Sequence, residues 1–299
     1  MIGRTLWWSK YLYKRGFSAS FHEYGVGPRI IKWRNPFESQ PTQHLPLHVV
    51  CGHDYGIMAL WMLASWFLAT EKNWQVWIHD DGTLTDEDKV MFRRVFSDVL
   101  HLVDRKEADK RMQSVLVSAP RCADYRSRMP HGLKVFDVGT LTDAPRFLLF
   151  DPDVLFFYKP VDILEWVQQD EDPKDTVWFN ADAQEPAPFV RERAPETLGF
   201  ELWPYVNSGL CMLNKKQIDL SFFEHCLNLD FMKHCKDWRA EQTLLALAAS
   251  RWGRGGLLSD AYEVSLDGPV RTDSIARHYI GAVRDRFWSE GVRRLKSKI

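Results

Sequence analysis

Two carboxylates, Asp151 and Asp153, stand at the end of an apolar run, Phe147-Leu-Leu-Phe150, and a second apolar run, Val154-Leu-Phe-Phe157, follows at once. Flanks of this kind belong to a buried strand that delivers two acids to the edge of a core. Pro152 fixes its own φ and holds Asp151 extended, so the chain is stiff where the acids converge. Carboxylates brought together out of water repel unless a proton or a cation lies between them. Oxygen donors suit Mg²⁺, Ca²⁺ or Mn²⁺, and an added imidazole moves the preference to Mn²⁺. The imidazole on offer is His278, in Arg277-His-Tyr-Ile-Gly281, with Arg284 just beyond. Gly281 would let a ligand approach closely, and Arg284 could neutralise phosphate oxygens. Read alone, His278 also fits a packed, hydrogen-bonded core histidine.

The Asp-x-Asp spacing by itself carries little, because it recurs at Asp86/Asp88 and at Asp170/Asp172. The first pair opens a helix, where acids suit the macrodipole. The second lies in a charged turn.

The elements that must position these groups alternate in type. His48–Cys51, Trp74–Ile78, Val99–Val103 and Phe147–Phe150 read as strands. Tyr55–Thr70, Thr85–Val95, Ala108–Val115 and Gly132–Thr140 read as helices, the second begun by a capping-box pattern at Thr85. Such alternation makes βαβ units and a layered α/β fold with a mostly parallel sheet. Continuous apolar strands are covered on both faces, and ligands sit outside the carboxyl ends of such strands, where Asp151 and Asp153 fall. Beyond them come a helix at Val161–Gln168, strands at Thr176–Asn180 and Tyr205–Leu213, helices at Ser221–Lys233 and Ala240–Trp252, and a last strand at Ala276–Gly281. Arg121–Met129 and 183–204 read as loops. The simplest division is one domain over 47–290, a basic and aromatic extension over 1–46, and a basic tail over 291–299.

The 299 residues carry a net charge of −1, which argues against a dedicated nucleic-acid binder. Five cysteines without a CxxC pair suggest neither a zinc site nor a disulfide framework, and point to a reducing, cytoplasmic setting. The longest apolar stretch, Gly56–Ala69, is shorter than the ~20 residues that span a bilayer. Residues 1–16 interleave Trp7, Trp8, Tyr11 and Tyr13 with Arg4, Lys10, Lys14 and Arg15, a pattern that can lie on the inner face of an anionic membrane or pack on its own domain. Thirteen tryptophans could include sugar platforms, with core packing the blander use. Trp203 and Tyr205 are open to the same two readings.

Taken in order, these motifs resemble those of metal-dependent glycosyltransferases of the GT-A fold, most closely family 8. The resemblance covers roughly 47–290. It rests on Leu148-Leu-Phe-Asp-Pro-Asp-Val154, on Tyr205-Val-Asn-Ser-Gly-Leu210, on Glu241-Gln242 opening a helix, and on His278-Tyr-Ile-Gly-Ala-Val-Arg284 followed by Phe287-Trp288. It implies a UDP-sugar donor, a carbohydrate or other acceptor, and retention of configuration. Carried across, Asp151, Asp153 and His278 would hold Mn²⁺ or Mg²⁺, and Lys134, Gly281 and Arg284 would contact the donor's phosphates. Asn207, Glu241 and Gln242 would form the sugar and catalytic edge, while Cys51, His53 and Asp54 would receive the uracil. Glu241 stands where the family has Asp, one methylene longer. That replacement motivates a second reading, a nucleotide-sugar or glycan binding protein with impaired catalysis. A third, a nucleotidyltransferase, lacks the early Gly-rich phosphate loop it would need.

Overall fold

A computed structural model describes residues 16–168, 175–233, 235 and 237–299. The aromatic, basic segment up to residue 15 and the Asp170/Asp172 turn lie outside the described residues.

Seven strands form the central sheet: β1 (Thr42–Cys51), β2 (Asn73–Asp80), β3 (Leu100–Val103), β4 (Arg146–Phe150), β6 (Val177–Ala181), β7 (Val206–Asn214) and β8 (Gly255–Leu257). Their order is β3-β2-β1-β4-β7-β6-β8. β7 is antiparallel to both neighbours, and every other pairing is parallel, so one strand of the seven is reversed. A second sheet joins β5 (Val154–Phe156), β10 (Ala276–His278) and β9 (Tyr262–Val264) in the order β5-β10-β9.

β4 shows how the layers arise. Successive strand side chains point to opposite faces. Leu148 and Phe150 enter one core with the Gly56–Thr70 helix, while Phe147 and Leu149 enter the other with the Gly132–Leu141 and Asp237–Trp252 helices. The expected layered α/β/α fold with a mostly parallel sheet is therefore present.

Several local expectations need correction. Pro120–Arg128 is a helix, not a loop. Its polar composition hid a buried side: Cys122 and Tyr125 enter the core, and Arg126 pairs with Asp137 and Asp109, both at 2.6 Å. Within 183–204, Pro188–Leu198 is helical; Pro188 occupies the first turn, where a missing N–H costs nothing. The N-terminal side is better ordered than expected. β1 begins at Thr42, and helical turns over Phe17–Lys32 place Val26 and Ile30 in the core. The C-terminal segment is no free tail, since Val292 and Leu295 are buried.

Two histidines lie within the sheet. His48 on β1 and His79 on β2 are buried, and His48 Nδ1 lies 2.9 Å from His79 Nε2. Burial lowers His48 well below the usual imidazole value, with His79 and His101 adding to it, and takes His79 down to about 3. Both rings are neutral in the native state but titrate near ~6.5 once unfolded. Their contribution is therefore intact above ~6.5 and is lost as pH falls toward the folded values, at about 1.4 kcal/mol per pH unit per ring. The expected result is that neither ring's NMR signals titrate between pH 7 and 5. Titration of either near 6.5 would mean that water reaches the pair.

Candidate functional site

Asp151 follows β4 and Asp153 precedes β5, so the two acids sit where the chain passes from one sheet to the other. The turn is held by Asp151 N donating to Gly209 O (2.8 Å) and Val154 N to Asp151 O (3.2 Å). β10 pairs antiparallel with β5, bringing His278 opposite Val154. Tyr279 N then donates to Asp153 O at 2.8 Å. Residues about 125 positions apart in sequence are thus joined by one strand pairing.

One ligand atom from each of Asp151, Asp153 and His278 can be chosen so that all three lie within 4.8 Å of one another. His278 Nε2 is 3.0 Å from Asp153 Oδ1 and 3.7 Å from Asp151 Oδ2. On its other side, His278 Nδ1 lies 2.9 Å from Asn207 Oδ1. An amide oxygen can only accept, so Nδ1 carries the hydrogen and Nε2 faces the carboxylates, the arrangement that orients a metal-binding imidazole. Gly209 gives the ring its room: a Cβ there would lie 2.2 Å from His278 Cε1.

The electrostatics fit a divalent cation. Burial favours the neutral Asp153 carboxyl, yet His278 and Arg284 outweigh it and hold it below the usual range. Burial also disfavours an imidazolium at His278, yet Asp153 and Asp151 raise it above its ordinary value. A proton is thus drawn to the place where two carboxylates and an imidazole meet. A hard or borderline cation with oxygen and nitrogen preferences would be drawn there for the same reason.

Around this cluster is a cleft of about 370 Å³. Its lining includes nine of the expected residues: Lys134, Asp151, Asp153, Asn207, Glu241, Gln242, His278, Gly281 and Arg284. Lys134 is buried on the Gly132–Leu141 helix, with Nζ 2.9 Å from Asp151 Oδ1, 3.2 Å from Glu241 Oε1 and 3.2 Å from Ser208 Oγ. Burial alone would lower its pKa, but the two carboxylates outweigh it and keep it charged. Arg284 reaches Asp153 Oδ2 through Nε and a terminal nitrogen, both at 3.2 Å, and donates to Tyr55 Oη at 3.1 Å. A Cβ added at Gly281 would meet nothing within 4 Å, so the space before it is open.

The other three expected residues stand apart from this lining. Cys51 is buried and donates to Gly52 O at 3.4 Å, and burial pushes its thiol well above the usual range. His53 and Asp54 are exposed on the turn after β1, with His53 Nδ1 2.7 Å from Asp88 Oδ2. Phe287 and Trp288 are core residues.

Asp182, outside the motifs singled out in the sequence, lines the cleft at the end of β6. Its Oδ2 accepts from Asn207 Nδ2 and from Gln242 Nε2, both at 3.0 Å, tying two expected residues together. The available signal was an acid directly after an apolar strand, the same one that marks Asp151.

This arrangement, a one-strand-reversed parallel sheet with paired acids at the end of a central strand, is the fold of GT-A glycosyltransferases. Among solved structures, the chain is similar to the galactosyltransferase LgtC in complex with donor and acceptor sugar analogues. That match has a TM-score of 0.55 at 12% identity and covers 85% of this chain and 96% of that one. It is also similar to mouse xyloside xylosyltransferase 1, with a TM-score of 0.51 at 11% identity, covering 81% and 99%. No protein-family model matches the chain, and no curated protein matches it in sequence.

Proposed function

We propose that the protein is a metal-dependent glycosyltransferase that moves a sugar from a UDP-sugar to a glycan acceptor, with retention of configuration. The observation that carries this reading is the Asp151–Asp153–His278 cluster, its tautomer set by Asn207, opening into a cleft with amides and carboxylates on its wall. Mn²⁺ or Mg²⁺ held there would act as a Lewis acid toward the departing diphosphate.

The chain's own residues divide the remaining work. Lys134 and Arg284 place positive charge beside the metal ligands, where a leaving phosphate gains negative charge. The exposed turn at His53 and Asp54 is the proposed seat of the uracil. Gln242 Nε2 donates to Asp182 Oδ2 at 3.0 Å, which fixes the amide that carries the side chain's carbonyl oxygen. That oxygen and the Asp182 carboxylate can face the positive charge that develops at the anomeric carbon. Asn207 holds His278 and Asp182 in register.

One observation favours the second reading, a binding protein with impaired catalysis. The Glu241 carboxylate is drawn onto Lys134 and accepts from Ser208 Oγ at 3.1 Å, so it is spent inside the wall. With either reading we propose a cytoplasmic setting, on the cysteine pattern, with residues 1–16 available for a peripheral membrane contact. No helix of the described residues is long and apolar enough to cross a membrane.

The test is a thermal shift with UDP, with and without Mn²⁺, followed by assay of UDP release from a panel of UDP-sugars. Metal-dependent binding with slow release is expected. Binding without any release selects the second reading, and no UDP binding sinks the glycosyltransferase reading.

A further inference from the structure

We propose that Trp238 is the platform on which the acceptor lies, and that this acceptor ends in a pyranose which turns its C–H face to the indole. This deepens the glycosyltransferase reading and rests on it.

Trp238 stands in the first turn of the Asp237–Trp252 helix. Glu241 and Gln242 follow three and four residues later, on the same side of the helix. At 1.5 Å per residue, Trp238 lies about 4.5–6 Å further along the axis, the order of one sugar ring. All three line the same cleft. The helix therefore presents the sugar-handling pair at one level and a flat aromatic group one ring further on.

The exposure of Trp238 is the second observation. At 54% it is the one tryptophan in the exposed class among the described residues. Leaving such a side chain in water forgoes roughly 2 kcal/mol of burial. The ring is nevertheless held. The Arg239 guanidinium lies 4.6 Å from its centroid, and Arg239 donates to Pro186 O at 2.9 Å, so the cation over the indole is itself anchored. A fixed aromatic at the rim loses little freedom when a ligand stacks on it.

The rest of the lining selects the ligand's chemistry. Leu266, 38% exposed, is the other large apolar side chain exposed in the lining, and most other lining residues are polar or charged. A lipid chain lying here would bury the cleft's many polar and charged groups without hydrogen-bond partners. A sugar has what the surface asks for: an apolar C–H face for the indole and hydroxyl edges for Asp182, Gln184 and His131.

The experiment uses the full chain with UDP and Mn²⁺ present. Saturation-transfer NMR is run with methyl β-galactopyranoside, methyl α-glucopyranoside and lactose as probes, on the native protein, Trp238→Phe and Trp238→Ala. Transfer to the C–H protons of at least one sugar is expected in the native protein. It should persist in Trp238→Phe and weaken about five- to tenfold in Trp238→Ala, the size of one stacking contact. UDP binding should be equal in all three, which also reports that the variants fold. Equal transfer in Trp238→Ala overturns the proposal, as does no transfer from any probe while UDP binds. If a sugar binds through Trp238 but UDP does not, the platform stands and the glycosyltransferase reading fails. If neither binds, both fail.

Discussion

Replacing Lys134 with Met is expected to destabilise the protein by about 3–5 kcal/mol, the cost of leaving buried charges without their partner. One ammonium serves two carboxylates here, Asp151 at 2.9 Å and Glu241 at 3.2 Å, and the Lys134 and Glu241 side chains are almost fully buried. Met retains most of the packed volume, so the loss reports charge and not a cavity. Once unpaired, the acids must take up protons or draw in water. In a chain of this size, about 2 °C of melting temperature is lost per kcal/mol, which gives a fall of roughly 6–10 °C by calorimetry. Adding Glu241→Gln to Lys134→Met removes one of the two orphaned charges and should recover part of that loss. A fall of less than about 1 kcal/mol, with no recovery in the double variant, would mean that the carboxylates are solvated.

The second large effect concerns the metal. Asp153→Asn is expected to abolish the Mn²⁺-dependent rise in melting temperature. Asp153 faces His278 through one oxygen and Arg284 through the other, so the neutral amide removes a ligand charge and loosens both neighbours. A metal present at about a hundredfold its dissociation constant stabilises the native state by ~2.7 kcal/mol, and this is the signal that should vanish. Asp86→Asn is the control. It belongs to an equally spaced pair, but in the first turn of a helix capped by Thr85. An undiminished response in Asp153→Asn, or a lost one in Asp86→Asn, would place the metal elsewhere.

Asp151 and Asp153 were legible because the residues beside them are apolar, and a strand covered on both faces has to be. His278 was legible only through its neighbours in sequence, since nothing local reveals that β10 will pair with β5. Asp182 was equally visible at the end of β6, but its meaning lies in hydrogen bonds to Asn207 and Gln242, which are fixed by tertiary packing. The Pro120–Arg128 helix was hidden because its buried side is made of Cys122, Tyr125 and an ion-paired Arg126, not of aliphatic residues. Proline misled in 183–204: Pro188 starts a helix there instead of breaking one. Trp238 stayed unremarked for the reverse reason, because a lone tryptophan near a helix start looks like core until its exposure is seen.

The late position of β10 along the chain sets the order in which the parts of the cluster are synthesised. The strands from β1 to β8 complete the large sheet before residue 258, with both acids and Lys134 already in place. Only the following twenty or so residues bring the imidazole, and its ring must then enter the space that Gly209 leaves empty. A chain that stops short of β10, during synthesis or after proteolysis, would keep the strands of the large sheet yet lack the imidazole of the Asp151–Asp153–His278 cluster. If the cluster binds metal as proposed, metal affinity would report that β10 has been made and paired with β5.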